Sequence, residues 1–251
     1  MKRVAIFNEK GGVGKTTITA IMASYLAYEV GRRVCVLDFD NPSFHFMELR
    51  LSEIKIAGDP KSPLSWWLSH NPAQPPYDII SFPTGPEEGV YNSDEVFGYL
   101  RSILADEYDY VFYDFPGRFA AGEPVSFLAA NGYVDFFAIP MDTDTQCRKS
   151  ALVVAEAIQR AGIPLSLFWN RVSADEAGGA GERFRRGAEP FLRRGMEVMP
   201  EMIRDIRKVS RDSSEMGFIR STLCFPTRYV NGRSPQFIPF FEALRERIDN
   251  A

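Results

Sequence analysis

An α/β fold, a mostly parallel twisted sheet flanked by helices on both faces, is what this sequence predicts, and three observations predict it. Short runs that are apolar at nearly every position recur along the chain, as strands buried on both faces require. Segments of good helix formers lie between these runs, so strand and helix alternate. A glycine-rich turn joins the first run directly to the first helix, and a second strand follows, giving a right-handed strand–helix–strand unit with parallel strands.

The elements follow in order. Val4-Ala5-Ile6-Phe7 is the first strand. A helix runs from Lys15 to about Val30 and stops at Gly31. Arg33 to Leu37 is the second strand, ending at Asp38-Phe39-Asp40. Residues 41–51 form a short helix after Pro42. Residues 57–76, with five prolines around Trp66-Trp67, read as an excursion holding one short helix, its tryptophans packing anchors. Asp78 to Phe82 is a strand, and 93–107 a helix capped by Asn92 or Ser93. Tyr108 to Tyr113 is a strand ending at Asp114, followed by a helix over 124–131. Val134 to Pro140 and Pro164 to Trp169 are strands around a helix over 144–161 that Gly162 closes. Helices over 181–194 and 201–217, a short strand Leu223-Cys224-Phe225 and a helix over 235–249 complete the chain.

Composition bounds the function. The 251 residues suit a single domain, 1–251, with 45% hydrophobic and 25% charged residues, which excludes a disordered chain. A net charge of −4 excludes a wholesale polyanion binder, so any nucleic-acid surface must be a local patch. Three scattered cysteines, Cys35, Cys147 and Cys224, without CxxC spacing point to a reducing compartment. The opening apolar stretch stops at Asn8-Glu9-Lys10, too short for a signal peptide, and no run approaches the ~20 apolar residues of a membrane span. The expected location is cytoplasmic, with nucleoid association.

The turn Lys10-Gly11-Gly12-Val13-Gly14-Lys15-Thr16-Thr17 fits a phosphate-binding loop, except that Glu9 stands where the general pattern has its first glycine. Gly11, Gly12, Val13 and Gly14 let backbone N–H groups converge on phosphate oxygens, and the following helix start adds partial positive charge. Lys15 bridges β- and γ-phosphates, the Thr16 hydroxyl ligates Mg²⁺, and Thr17 adds a hydroxyl to the α-phosphate.

With its lysine directly before the double glycine, KGGVGKTT resembles the deviant Walker A motif of the ParA/MinD superfamily of ATPases. VLDFD is similar to that family's strand ending in Asp-x-Asp, YDYVFYDFPG looks like its Walker B and switch II, and FWNRV resembles its adenine-side strand end. The resemblance covers nearly the whole chain and is strongest for ParA-type partitioning ATPases. It implies a P-loop NTPase fold, ATP and Mg²⁺ as ligands, slow hydrolysis, and an ATP-dependent homodimer with the nucleotides sandwiched between protomers.

Residue by residue, Lys10 matches the signature lysine that reaches the partner's nucleotide, and Lys15 and Thr16 the phosphate lysine and magnesium ligand. Asp38 acts near magnesium through water, Asp40 positions the attacking water, and Asp114 is the Walker B carboxylate holding a magnesium-bound water. Gly117 is the switch II glycine that senses the γ-phosphate, and Asn170 hydrogen-bonds adenine. The sequence departs from the family at Asn41-Pro42-Ser43-Phe44-His45, where Pro-Gln is common after the second aspartate, and at Phe115-Pro116-Gly117-Arg118, where Thr-Pro-Pro is usual. His45 is expected to be a surface or packing histidine.

Three branches of the superfamily differ in what they need. An iron–sulfur reductase needs cysteines after the Walker B strand, and Arg118 to Gly122 holds none. A MinD-like membrane ATPase needs a basic terminal helix, whereas 237–249 carries a net charge of −1. A DNA-partitioning ATPase needs a basic surface, and 181–220 carries +3 on a chain whose remainder is −7. Arg204, Arg207, Lys208 and Arg211 are its candidate contacts with non-specific DNA. The expected function is therefore an ATPase that partitions or positions DNA of a plasmid, chromosome or mobile element. A stimulating partner protein and no membrane anchor are also expected. A protein-positioning or conjugation accessory ATPase without DNA binding and a MinD-like membrane ATPase are the alternatives.

Overall fold

The computed structural model describes residues 1–40, 45–70, 75–81, 98, 107–115, 128, 130–172, 181–203, 221–225 and 238–251. Its centre is a six-stranded parallel sheet of β1 (Lys2–Ile6), β2 (Val34–Asp38), β3 (Asp78–Ser81), β4 (Tyr110–Asp114), β5 (Phe136–Met141) and β6 (Leu165–Trp169), in the order β3-β2-β4-β1-β5-β6. The helices among the described residues are α1 (Lys15–Ser24), α2 (His45–Ala57), α3 (Pro63–His70), α4 (Thr145–Arg160), α5 (Gly181–Leu192) and α6 (Ile238–Asp249).

Alternation along the strands sends side chains into two separate cores. Ala5 and Phe7, with Leu37, Val111 and Ile139, meet Ala151, Val154 and Ile158 of α4 and Phe184 and Phe191 of α5. Val4 and Ile6, with Val36 and Phe112, meet Ile18, Ile21 and Met22 of α1 and Phe240, Phe241, Leu244 and Ile248 of α6. The apolar face of α6 is thus spent inside the protein.

β1 lies centrally, with β4 on one side and β5 on the other. Chain direction across the sheet reverses there: β2 and β3 are laid down on one side of β1, and β5 and β6 on the other. Open parallel sheets bind ligands at the carboxyl ends of strands beside such a reversal. The loop after β1, Asp38 and Asp114 all occupy that edge, and Asp38 is the register partner of Asp114.

Several expected elements are corrected. The first helix turns π-helical at Tyr25–Glu29, where the Val30 amide donates to the Tyr25 carbonyl at 3.1 Å. α2, His45–Ala57, runs past the expected end at 51, residues 41–44 lie outside the described residues, and Asp38 caps it from β2: its carboxylate accepts from the Phe46 and Met47 amides at 3.2 and 3.1 Å. Residues 221–225 are a bent segment and not a strand, since the Thr222 amide and hydroxyl both donate to Glu53. Residues 201–203, expected as a helix start, run extended beside β6, with the Ile203 amide donating to the Trp169 carbonyl at 2.9 Å. The helices expected over 93–107 and 124–131 and the rest of 201–217 lie mostly outside the described residues.

Candidate nucleotide site

The loop is built from its first residue onward. Asn8 is fully buried. Its Nδ2 donates to the Pro140 carbonyl at 2.8 Å, while its Oδ1 accepts from the Ser150 hydroxyl at 2.7 Å and the Lys10 amide at 3.0 Å. That last bond is a side-chain turn two residues long, which folds the chain without the glycine missing at position 9. Gly14 then sits at φ 97°, and a Cβ there would lie 2.8 Å from Asn170 Nδ2, so two separate demands exclude a side chain. α1 begins at the next residue and aims its amino end at the loop.

The two lysines of the loop have opposite environments. Lys15 is 6% exposed, and its Nζ donates to the Lys10 carbonyl at 3.3 Å. Burial pulls its pKa down, against the opposing pull of Asp114 and Asp40. Lys10 is exposed, and its Nζ reaches away from the loop to Gln146 Oε1 of α4 at 3.3 Å.

Three carboxylates cluster beside the loop, two of them acting on Lys15. Asp114 is 1% exposed; its Oδ1 accepts from the Thr16 hydroxyl at 3.3 Å, and its Oδ2 is buried with no hydrogen-bond partner. Burial raises its pKa to about 7; Thr16 and Lys15 oppose the rise, and Asp38 and Asp40 add to it. Asp38 is also raised by burial, although its oxygens accept from the amides of Asp40, Phe46 and Met47. Asp40 is partly exposed, and its Oδ2 lies 2.6 Å from His45 Nδ1. His45 is on the surface as expected, but it is tied to the very carboxylate expected to position water. A cavity of about 390 Å³ opens alongside, lined by Thr16, Thr17, His45, Glu48, Leu49 and Ser52.

This donor set fits a magnesium ion. The Thr16 hydroxyl and Asp114 are hard oxygen ligands, and an unpartnered buried carboxylate oxygen beside two further carboxylates suits a cation. Asp38 differs from its expected role near the metal in one respect: its first task is to fasten α2 to the end of β2.

The structure thus brings together Lys10, Gly11, Gly12, Val13, Gly14, Lys15, Thr16, Thr17, Asp38, Asp40 and Asp114 around one loop. The family model for the CobQ/CobB/MinD/ParA nucleotide-binding domain matches residues 4–246. The chain belongs to that family. It is a nucleotide-binding ATPase-type domain of ParA/MinD lineage.

Among relatives, the chromosome-partitioning ATPase Soj of Thermus thermophilus is 50% identical over 40 residues, a match spanning 16% of each chain. Among solved structures, the MinC:MinD cell division complex of Aquifex aeolicus superimposes with a TM-score of 0.61 at 16% identity, over all of this chain and 95% of the other. MinD of Pyrococcus horikoshii complexed with Mg-ADP gives 0.51 at 20% identity, over 87% and 93%. At these identities the likeness to the structures is one of fold.

Asn170 was expected at the adenine. It is 4% exposed, and its Nδ2 donates to the Val13 carbonyl at 2.6 Å, underneath the loop. Gly117 and the basic residues Arg204, Arg207, Lys208 and Arg211 lie outside the described residues. Sequence reasoning missed Asn8, Gln146 and Arg171. Only Asn8 carries a local signal, a polar residue closing an apolar strand just before a glycine-rich turn.

Proposed function

We propose that residues 1–251 form one Mg-ATP-dependent ATPase domain that dimerises on ATP and uses that state to partition or position DNA. The observation that carries this reading is the division of labour between Lys15, buried in the loop, and Lys10, exposed and turned out of it. Lys15 already serves the chain's own phosphates. A second lysine aimed outward serves a nucleotide in another copy, where it offsets repulsion between two facing triphosphates.

On ATP binding, the Lys15 ammonium exchanges the Lys10 carbonyl for phosphate oxygens, a stronger acceptor. The Thr16 hydroxyl and Asp114 would hold a magnesium ion, which would supply neutralising charge beside the phosphates. Asp40 orients water for attack on the γ-phosphate, and His45 fixes the Asp40 carboxylate. The Mg-ADP complex of a MinD supports the choice of ligands.

DNA as the object of this cycle is supported by the named role of the Soj relative and by the +3 charge of 181–220. Arg186 of α5, and Arg193 and Arg194 just after it, are paired with Glu182, Glu189 and Glu156, so contact with phosphate rests on Arg204, Arg207, Lys208 and Arg211. A stimulating protein partner belongs to the same proposal, as MinC accompanies MinD in the Aquifex complex.

Light scattering with a non-hydrolysable ATP analogue tests the dimer. Wild type is expected to double in mass, and Lys10→Ala to bind the analogue yet remain monomeric and lose hydrolysis. A Lys10→Ala protein that dimerises and hydrolyses like wild type overturns the reading. Run on duplex DNA of arbitrary sequence, the same samples separate a DNA-acting ATPase, retained with ATP at low salt, from an accessory one that is not.

A further inference from the structure

The end of β6 makes two contacts with the loop that no phosphate-binding role accounts for. Asn170 Nδ2 donates to the Val13 carbonyl at 2.6 Å, and Arg171 Nη1 donates to the Gly12 carbonyl at 2.5 Å. Arg171 is the one described non-glycine residue with positive φ, at 61°. An arginine held in that region is strained relative to its usual conformations. Its guanidinium also lies 4.0 Å from Asp142 Oδ2, just past the end of β5. The strained backbone therefore delivers a side chain to the place where β5, β6 and the loop meet.

Resting on the nucleotide-site reading above, we infer that Asn170 and Arg171 are positioning residues that set the direction of the loop's N–H groups. A trans peptide is planar, with its carbonyl and N–H pointing opposite ways. The Gly12 carbonyl shares a peptide plane with the Val13 N–H, and the Val13 carbonyl shares one with the Gly14 N–H. Two consecutive carbonyls pinned towards β6 turn two consecutive N–H groups away from it, as a phosphate nest requires. Glycines make the loop able to adopt that shape and equally able to leave it, since both signs of φ are open to them. The two pins remove that freedom before nucleotide arrives, so binding does not bear the cost of ordering the loop. Gly14 has no Cβ because Asn170 must come this close. On this account Asn170 acts on phosphate affinity and not on the choice of base.

The test uses the full-length chain, with AMPPNP and GMPPNP titrated calorimetrically in the presence of magnesium. Arg171→Gly removes the guanidinium and relieves the backbone strain. It is expected to melt, without ligand, at or above the wild-type temperature, yet to bind both analogues on the order of tenfold more weakly, the worth of one charge-assisted hydrogen bond. That factor is expected to persist at about 0.5 M salt, where attraction between separated charges is screened. Asn170→Ala is expected to weaken both analogues by a common factor. Unchanged affinity in Arg171→Gly, or a loss that vanishes in high salt, overturns the pin; a loss confined to AMPPNP makes Asn170 a base reader. Wild type that binds neither analogue defeats the nucleotide-site reading itself, a result distinct from all of these.

Discussion

Asp114→Asn is expected to stabilise the magnesium-free protein while disabling its site. The Asp114 carboxyl is buried, receives one hydrogen bond, and has its pKa lifted from 3.8 to about 7. At ~1.4 kcal/mol per pKa unit, that displacement costs the ionised folded protein about 4 kcal/mol. The sign follows from linkage: an acid raised on folding contributes fully below its unfolded pKa, and the contribution is lost as pH climbs through about 7. Asparagine never ionises, so it escapes this cost. It buries an amide whose N–H groups lack an acceptor, at about 1–3 kcal/mol. The net gain is ~1–3 kcal/mol at about pH 8, or a few degrees in melting temperature for a chain of this size. Thermal unfolding in a chelator at about pH 8 and pH 5 reads this directly, with wild type gaining stability at the lower pH relative to the variant. Added Mg-AMPPNP should then raise wild type well above Asp114→Asn. A variant that melts below wild type in chelator at about pH 8 would refute the argument that Asp114 is an unpaired charge awaiting a cation.

Two further outcomes follow from other contacts. Asp40→Ala should bind AMPPNP within about threefold of wild type and lose at least about tenfold in hydrolysis, because water positioning acts in the transition state; His45→Ala, which removes the 2.6 Å partner of Asp40, should lose less, and steady-state phosphate release measures both. Asp135 is raised by burial but lowered more by the Arg3 guanidinium and amide, which hold it below the usual carboxylate range. Its stability contribution is therefore present above about pH 4 and lost as pH falls through its folded pKa, so Asp135→Asn should cost about 1–3 kcal/mol near neutrality in urea unfolding and converge on wild type in acid.

How much was legible in the sequence depended on whether the cause was local. β1, β2, β4, β5 and β6 are built on apolar runs because parallel strands are covered on both faces, and all were placed within two residues. The loop was legible because its chemistry needs glycines and a lysine in unbroken sequence. The cap of α2 was not, since Asp38 comes from another element seven residues upstream. Nor was the bend at Thr222, which is imposed by Glu53 and Arg50 from 169 and 172 residues away. Arg171 was invisible for the same reason. Nothing in Asn-Arg-Val signals a positive φ; the conformation is fixed by Gly12 and Asp142, which the chain brings in from elsewhere.

Among the described departures from the family pattern, His45 falls on the side of the site that binding of nucleotide and metal would change. Asp40 and Asp114 act on the single buried lysine of the loop, with Asp38 beside Asp114, and that lysine is spent on the Lys10 carbonyl. Three acids against one cation is an arrangement a fold keeps only if something else supplies positive charge. The β6 side of the loop is the reverse: Asn8, Asn170 and Arg171 satisfy its carbonyls and fix its start without any ligand. One edge of the site is therefore finished on folding and the other on binding. His45, which holds Asp40, lies on the edge that binding finishes. A change at His45 is expected to alter how fast the bound state turns over while leaving the nest that first captures phosphate untouched.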